Sequence, residues 1–229
     1  MKLASFFSGG KDSVYSINVA KENGHEINCL LTVLSNSEES HLLHHPNLNW
    51  THLQSQSMNI EQLTISSFSD NTDDELDLFE KLIYNAKKKF EIDGIVHGGI
   101  KSKFQKNNFE KICQKLDLKL FSPLWEKDPY LYMEELIQKK FEFIISSVSS
   151  DGLDEKWLGK NISSNDVHTL KSLSEKFGFN LNFEGGEAET FVVNCPLFTK
   201  MIKINQYEKI WDGYRGRFEI VDAELVNHA

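Results

Sequence analysis

The sequence predicts an α/β chain: a parallel-sheet domain over residues 1–125, then a smaller α+β domain over residues 126–229. Three observations predict it. Apolar runs of strand length alternate with segments of helical period through the first half, the βαβα rhythm of a sheet covered on both faces. A glycine-rich turn, Ser8-Gly9-Gly10-Lys11-Asp12-Ser13, joins the first apolar run to the first helical segment. The rhythm then breaks between Pro123 and Pro129, and from Thr190 onward β-branched and aromatic residues dominate.

Leu3 to Phe7 is the first strand, and Val14, Ile17 and Ala20 place a helix behind the turn, ending near Asn23-Gly24. Ile27 to Leu34 reads as the second strand. A polar, histidine-bearing loop runs from Ser35 to Trp50, and a short strand follows near Gln62 to Ser66. Between Asp73 and Phe90, Leu76, Phe79, Leu82, Ile83, Ala86 and Phe90 share one helix face, with acidic residues at the start that suit its dipole. Asp93 to His97 is a strand ending in Gly98-Gly99. A helix from Lys103 to Leu116 aligns Phe109, Ile112, Cys113 and Leu116, and Leu118 to Phe121 is the next strand.

Beyond Pro129 the spacing predicts a helix over Tyr130 to Lys140 and an apolar strand over Phe141 to Val148. A polar loop from Ser149 to Lys160 carries Trp157. Val167, Leu170, Leu173 and Phe177 mark a further helix closed by Gly178. The tail reads as antiparallel strands, with turn signals at Asp212-Gly213 and Gly216.

Composition narrows the function. With 34 acidic against 25 basic residues the net charge is −9, which argues against a nucleic-acid partner. Lys87-Lys88-Lys89 reads as the solvated end of a helix. No apolar run reaches the length of a membrane span, and no basic-then-apolar leader opens the chain, so a cytoplasmic location is expected. Cys29, Cys113 and Cys195 are far apart and odd in number, which argues against a disulfide framework or a redox pair, and Cys29 and Cys113 read as buried small apolar residues.

The turn between the first strand and helix has the makings of an anion cradle. Glycines admit a phosphate close to the backbone, and the helix N-terminus favours negative charge. Lys11 adds a cation, and Ser8 and Ser13 add hydroxyl donors. The spacing is not that of the ordinary G-x-x-x-x-G-K-[ST] loop. In open α/β sheets ligands bind at the carboxyl ends of strands where the strand order reverses. Ser8 to Ser13 and His97-Gly98-Gly99 both sit at such ends, so the second either faces the same nucleotide as the first or makes a plain tight turn. A second unusual segment is Glu184-Gly185-Gly186-Glu187-Ala188-Glu189-Thr190. Three carboxylates around two glycines suit a loop facing a cation or an amine, or else a charged turn in solvent.

The hexapeptide resembles the pyrophosphate-loop motif of the PP-loop ATP pyrophosphatase superfamily, which implies a Rossmann-like sheet and cleavage of ATP to AMP and pyrophosphate. Together with E-G-G-E-x-E-T and Cys195-Pro196-Leu197-Phe198, it resembles the diphthine–ammonia ligase family, short archaeal-type members above all. Asp93-Gly94-Ile95-Val96, Ser102 to Lys106, Pro123-Leu124-Trp125, Gly152-Leu153-Asp154, Trp157 to Lys160 and Lys209 to Gly213 agree with that resemblance. Asn107 or Asn108 stands where members often carry a basic residue, and Ala188 where an aromatic one is common.

The resemblance implies an amide ligase. It adenylates the carboxylate of diphthine on elongation factor 2 and transfers ammonia to give diphthamide. On that reading Ser8, Gly9, Gly10, Lys11 and Ser13 hold the pyrophosphate, and Gly98 and Gly99 border the nucleotide. Asp12 either places Mg²⁺ or caps the helix. Lys11, Asp12, Glu187 and Glu189 are the expected catalytic set. Glu184, Gly185, Gly186, Glu187, Glu189 and Thr190 would face the modified side chain, whose trimethylammonium group favours carboxylates and aromatic faces such as Trp157. Adenylation of another acceptor, a tRNA base or a small metabolite, and a non-catalytic ATP-binding module are the alternatives. His41, His44, His45 and His52 lack the partners of a zinc site and are expected in a loop or lid near the nucleotide. Oligomerisation, the ammonia source and the division of labour among the three glutamates stay open.

Overall fold

Strand β1 (Lys2–Phe6) lies at the centre of a five-stranded sheet in the computed structural model, which describes residues 1–35, 47–68 and 71–228. Helix α1 (Lys11–Glu22) follows, then β2 (Glu26–Ser35), α2 (Thr51–Met58), β3 (Glu61–Ser67), α3 (Thr72–Phe90), β4 (Gly94–Val96), α4 (Lys103–Lys115) and β5 (Lys119–Phe121). The sheet runs β3-β2-β1-β4-β5, and every neighbouring pair is parallel. Successive β1 residues are buried because both faces are covered. Ala4 and Phe6 face a core with α3 and α4 that includes Phe79, Ile83, Phe109 and Ile112, while Leu3 joins Val14, Tyr15 and Ile17 of α1 in a second core. This is the doubly covered parallel sheet that the alternation of strands and helices predicts, in the Rossmann-like arrangement that the resemblance implies.

The second half is built from α5 (Pro129–Gln138), β6 (Glu142–Val148), α6 (Ser164–Phe177), β7 (Ala188–Asn194), β8 (Met201–Trp211) and β9 (Gly216–Val226). Its antiparallel sheet has the order β7-β6-β9-β8. Helix α5 starts where the Asp128 carboxylate accepts the Leu131 N–H (2.9 Å) and Pro129 occupies the first turn. Ser163 and Asp166 form a reciprocal capping box at α6. Tyr132, Phe141, Phe143, Phe191 and Val192 share one core with Val14, Tyr15 and Ile17, so α1 is sandwiched between the two sheets.

Two local expectations need correction. Thr51–Met58, within a stretch with no predicted helix, forms α2. Its inward side is polar, with Thr51, Gln54, Ser55 and Ser57 buried, and no apolar period announces it. The second glycine motif is not all loop, since Ala188, Glu189 and Thr190 open β7. The Asp212-Gly213 turn does join β8 to β9. Cys29 and Cys113 are buried free thiols, as expected, and so is Cys195; burial raises each to about 12. His41, His44 and His45 lie outside the described residues; His52 stacks on Trp50 and its Nδ1 pairs with the Asn49 carbonyl. Among the described residues no three metal-ligating side chains cluster, and no helix is long and apolar enough to cross a membrane.

Candidate active site

Strand order reverses between β1 and β4, and the chain segments leaving their carboxyl ends are Phe7–Gly10 and His97–Gly99. A cavity of about 550 Å³ opens there. Ser8, Asp12 and Ser13 line one wall, Gly98 and Gly99 another, and Glu184, Gly185, Gly186 and Glu189 a third. Phe6, Leu31, Val33, Leu48, Phe79 and Phe109 make the remaining wall apolar. Both glycine motifs, 179 residues apart at Lys11 and Thr190, thus meet at one cavity.

The first loop is fixed from three sides. Gly9 has φ +77°, and a side chain there would strike Gln54 Oε1 at 2.4 Å. The Gln54 amide donates to the carbonyls of Gly9 (2.9 Å) and Val192 (2.8 Å), and the Val192 N–H donates to Gly9 as well (3.0 Å). The Lys11 N–H donates to Thr190 Oγ1 (3.1 Å), and Ser13 Oγ donates to the Gly10 carbonyl (3.0 Å). Gly98 packs so closely that a Cβ would sit 2.8 Å from the Asp12 carbonyl oxygen. The first turn of α1, whose N–H groups the helix itself cannot satisfy, faces the cavity with Asp12 and Ser13.

Lys11 is 2% exposed and does not itself line the cavity. Its Nζ donates to the Asn182 carbonyl (2.7 Å) and to Asp12 Oδ2 (3.0 Å), and lies 5.4 Å from the centre of the Phe183 ring. Asp12 Oδ1 accepts from the Tyr132 hydroxyl at 2.6 Å. Burial, and next the Asp12 charge, hold the Tyr132 phenol well above its ordinary range, so it stays a donor.

The three glutamates of the second motif have separate settings. Glu184 Oε1 accepts three consecutive backbone N–H groups, from Ile100 (3.1 Å), Lys101 (3.0 Å) and Ser102 (3.1 Å), and so ties the loop to the start of α4. The Glu187 carboxylate turns into its own loop, taking the Asn180 backbone and side-chain N–H groups and the Gly185 N–H. Glu187 does not line the cavity, whereas Glu189, on β7, does. Thr190 stands behind the Ser8–Ser13 loop through its bond to Lys11. His97, at the end of β4, is 4% exposed, and burial lowers its pKa to about 4, so a neutral imidazole faces the cavity.

A sequence profile of the diphthamide synthase N-terminal domain matches residues 1–120, and one of the C-terminal domain matches residues 128–226. The chain belongs to the diphthamide synthase family. It is 32% identical to the diphthine–ammonia ligase of Rattus norvegicus over 92% of this chain and 85% of that protein. The diphthine–ammonia ligase of Bos taurus matches with the same identity and coverage. A solved structure, described as a predicted subunit of tRNA methyltransferase from Methanocaldococcus jannaschii, is 16% identical over 86% of this chain and 98% of that one, with a TM-score of 0.46, too slight a likeness to argue from.

In this diphthamide synthase family member the sequence motifs leave several site residues unannounced. Gln54, Tyr132, Asn182 and the apolar wall come from segments with no motif of their own. His97, expected at the strand end with Gly98 and Gly99, does line the cavity. Trp157 is buried in the core, with Lys160 Nζ 4.8 Å from its ring centre, and it does not line the cavity.

Proposed function

We propose that the chain is an AMP-forming amide ligase that adenylates the carboxylate of diphthine on elongation factor 2 and amidates it with ammonia. One observation carries the reading: the phosphate-loop motif and the acidic glycine motif line one cavity at the strand-order reversal. The family membership and the name of the mammalian relatives support the same substrate class. The nucleotide belongs to the half over residues 1–125 and the acceptor to the half over 126–229, in a cytoplasmic enzyme.

The residues fit the chemistry. A carboxylate oxygen of the acceptor attacks the α-phosphorus of ATP, the bond to the bridging oxygen breaks, and pyrophosphate leaves. Ammonia then attacks the acyl carbon, loses a proton, and AMP departs. The protein's work is positioning and charge stabilisation. Ser8, Ser13 and the backbone of Gly9 and Gly10 cradle the pyrophosphate, and Gly98 and Gly99 border the nucleotide. Lys11 is the cation for the departing charge, and to reach it Nζ exchanges its Asn182 carbonyl for phosphate oxygens. Asp12 uses two of its four or so acceptor positions on Lys11 and Tyr132, which leaves the others for Mg²⁺ on the cavity side. Mg²⁺ there would neutralise phosphate charge. Glu189 faces the acceptor's trimethylammonium group or takes the proton from ammonium. Glu184 and Glu187 shape the loop that presents Gly185 and Gly186.

The test is to incubate the protein with ATP, Mg²⁺, ammonium and diphthine-bearing elongation factor 2. AMP release with the mass change of hydroxyl replaced by amine is the expected result. AMP without that change would move the reading to another acceptor, and no AMP despite ATP binding would refute it. Lys11→Ala should abolish pyrophosphate release while the folded far-UV spectrum persists.

A further inference from the structure

We propose that Tyr132 is a positioning residue that orients the Asp12 carboxylate toward a divalent cation at the phosphate loop. The inference rests on the ATP-site reading above and adds a residue that no motif marks.

Asp12 lies next in sequence to a buried lysine. Its Oδ2 is 3.0 Å from Lys11 Nζ, and its side chain is 32% exposed. Without a second anchor, the carboxylate would rotate onto that ammonium and present less of itself to the cavity. Tyr132 supplies the anchor from the other half of the chain. Its hydroxyl donates to Oδ1 at 2.6 Å, so one oxygen goes to each partner and the plane of the group is set.

The anchor is itself held. Tyr132 is 1% exposed, its ring lies 5.7 Å from that of Tyr15, and its N–H donates to the Asp128 carbonyl in the first turn of α5 (2.9 Å). A buried phenol aimed at one carboxylate oxygen has no role in the apolar core that phenylalanine would not serve equally. Its distinguishing effect is on where the lone pairs of Asp12 point. Groups that orient a metal-binding carboxylate in this way change metal affinity by about 10-fold to 100-fold.

The experiment measures Mn²⁺ binding to the full chain with a non-hydrolysable ATP analogue, by the loss of the free Mn²⁺ signal in electron paramagnetic resonance. Tyr132→Phe keeps the ring volume, and Tyr132→Leu is the second variant should the first not fold. The expected result is Mn²⁺ affinity weaker by about 10-fold, with analogue affinity in the absence of metal unchanged. Asp12→Asn should lose at least as much, and adding Tyr132→Phe to it should cost nothing further. Unchanged Mn²⁺ affinity in a folded Tyr132 variant overturns the proposal, as does an additive further loss in the double variant. If the wild-type chain binds the analogue yet draws in no Mn²⁺, the proposal falls and the ATP site stands. If it binds no analogue at all, the underlying reading falls too.

Discussion

Mild acid should loosen this protein through His97. The imidazole is 4% exposed, with the Phe109 ring 5.1 Å away and the Phe6 ring 6.4 Å away, both edge-on. Burial lowers its pKa from 6.5 to about 4; a hydrogen bond that the ring donates to Gln105 opposes that and Lys106 adds to it, both by less. In the unfolded chain the same group titrates near 6.5. Between those values the unfolded state binds a proton that the folded state refuses, so stability rises with pH across the window. The contribution is complete above about 6.5 and is lost as pH falls toward about 4. At about 1.4 kcal/mol per pH unit, the window is worth about 3 kcal/mol, against a total of about 5–15 kcal/mol for a typical fold. Urea denaturation of wild type and His97→Gln, at pH values across the window, isolates the effect, because every other titrating group is common to both. The variant should lose about 3 kcal/mol less than wild type over the window. Parallel stability curves would refute the assignment of a neutral, buried imidazole.

Gly98→Ala places a methyl carbon 2.8 Å from the Asp12 carbonyl oxygen and 3.1 Å from the Ser13 nitrogen, both backbone atoms that cannot swing aside. It should cost about 1–3 kcal/mol in thermal unfolding and slow AMP formation by about 10-fold or more, since the Ser8–Ser13 loop must shift. Glu184→Ala releases three amides at once and should cost about 1–2 kcal/mol. It should also raise the KM for the protein acceptor more than that for ATP, measured in steady-state AMP release. Gln54→Ala keeps α2 helical but takes the side-chain donor from the carbonyls of Gly9 and Val192, leaving Gly9 with the Val192 N–H alone. A loss of about 2–3 kcal/mol is expected in denaturant titration, and a loss under about 0.5 kcal/mol, the size of an ordinary surface change, would refute the clamp.

The first sheet was legible because its strands are buried on both faces and its helices carry apolar stripes. Phe79, Leu82, Ile83 and Ala86 announce α3 by spacing alone. The convergence of Ser8–Ser13 with Gly98-Gly99 was legible too, because parallel-sheet topology fixes which strand ends are neighbours. Helix α2 was not legible, since Thr51, Gln54, Ser55 and Ser57 face inward and make hydrogen bonds that have no periodic signature. Tyr132 was not either: its phenol meets Asp12 across 120 residues, and its place in an apolar helix face looks like ordinary packing. Among the glutamates, composition showed that the loop holds three carboxylates, but only the backbone path shows that Glu187 curls onto Gly185 while Glu189 points along a strand into the cavity.

The ties that finish the Ser8–Ser13 loop have a consequence for synthesis of the chain. Lys11 waits for Thr190 and for the Asn182 carbonyl, and Gly9 waits for Val192, partners translated about 170 or more residues later. A ribosome that has released only the first sheet has therefore exported the hexapeptide with its Gln54 and Ser13 bonds but without those to Asn182, Thr190 and Val192, and the covering of α1 by Phe141 and Phe191 is missing as well. Nucleotide binding should consequently switch on late, once β7 has emerged and docked. Growing chains and prematurely terminated fragments would then carry the complete motif yet leave cellular ATP untouched.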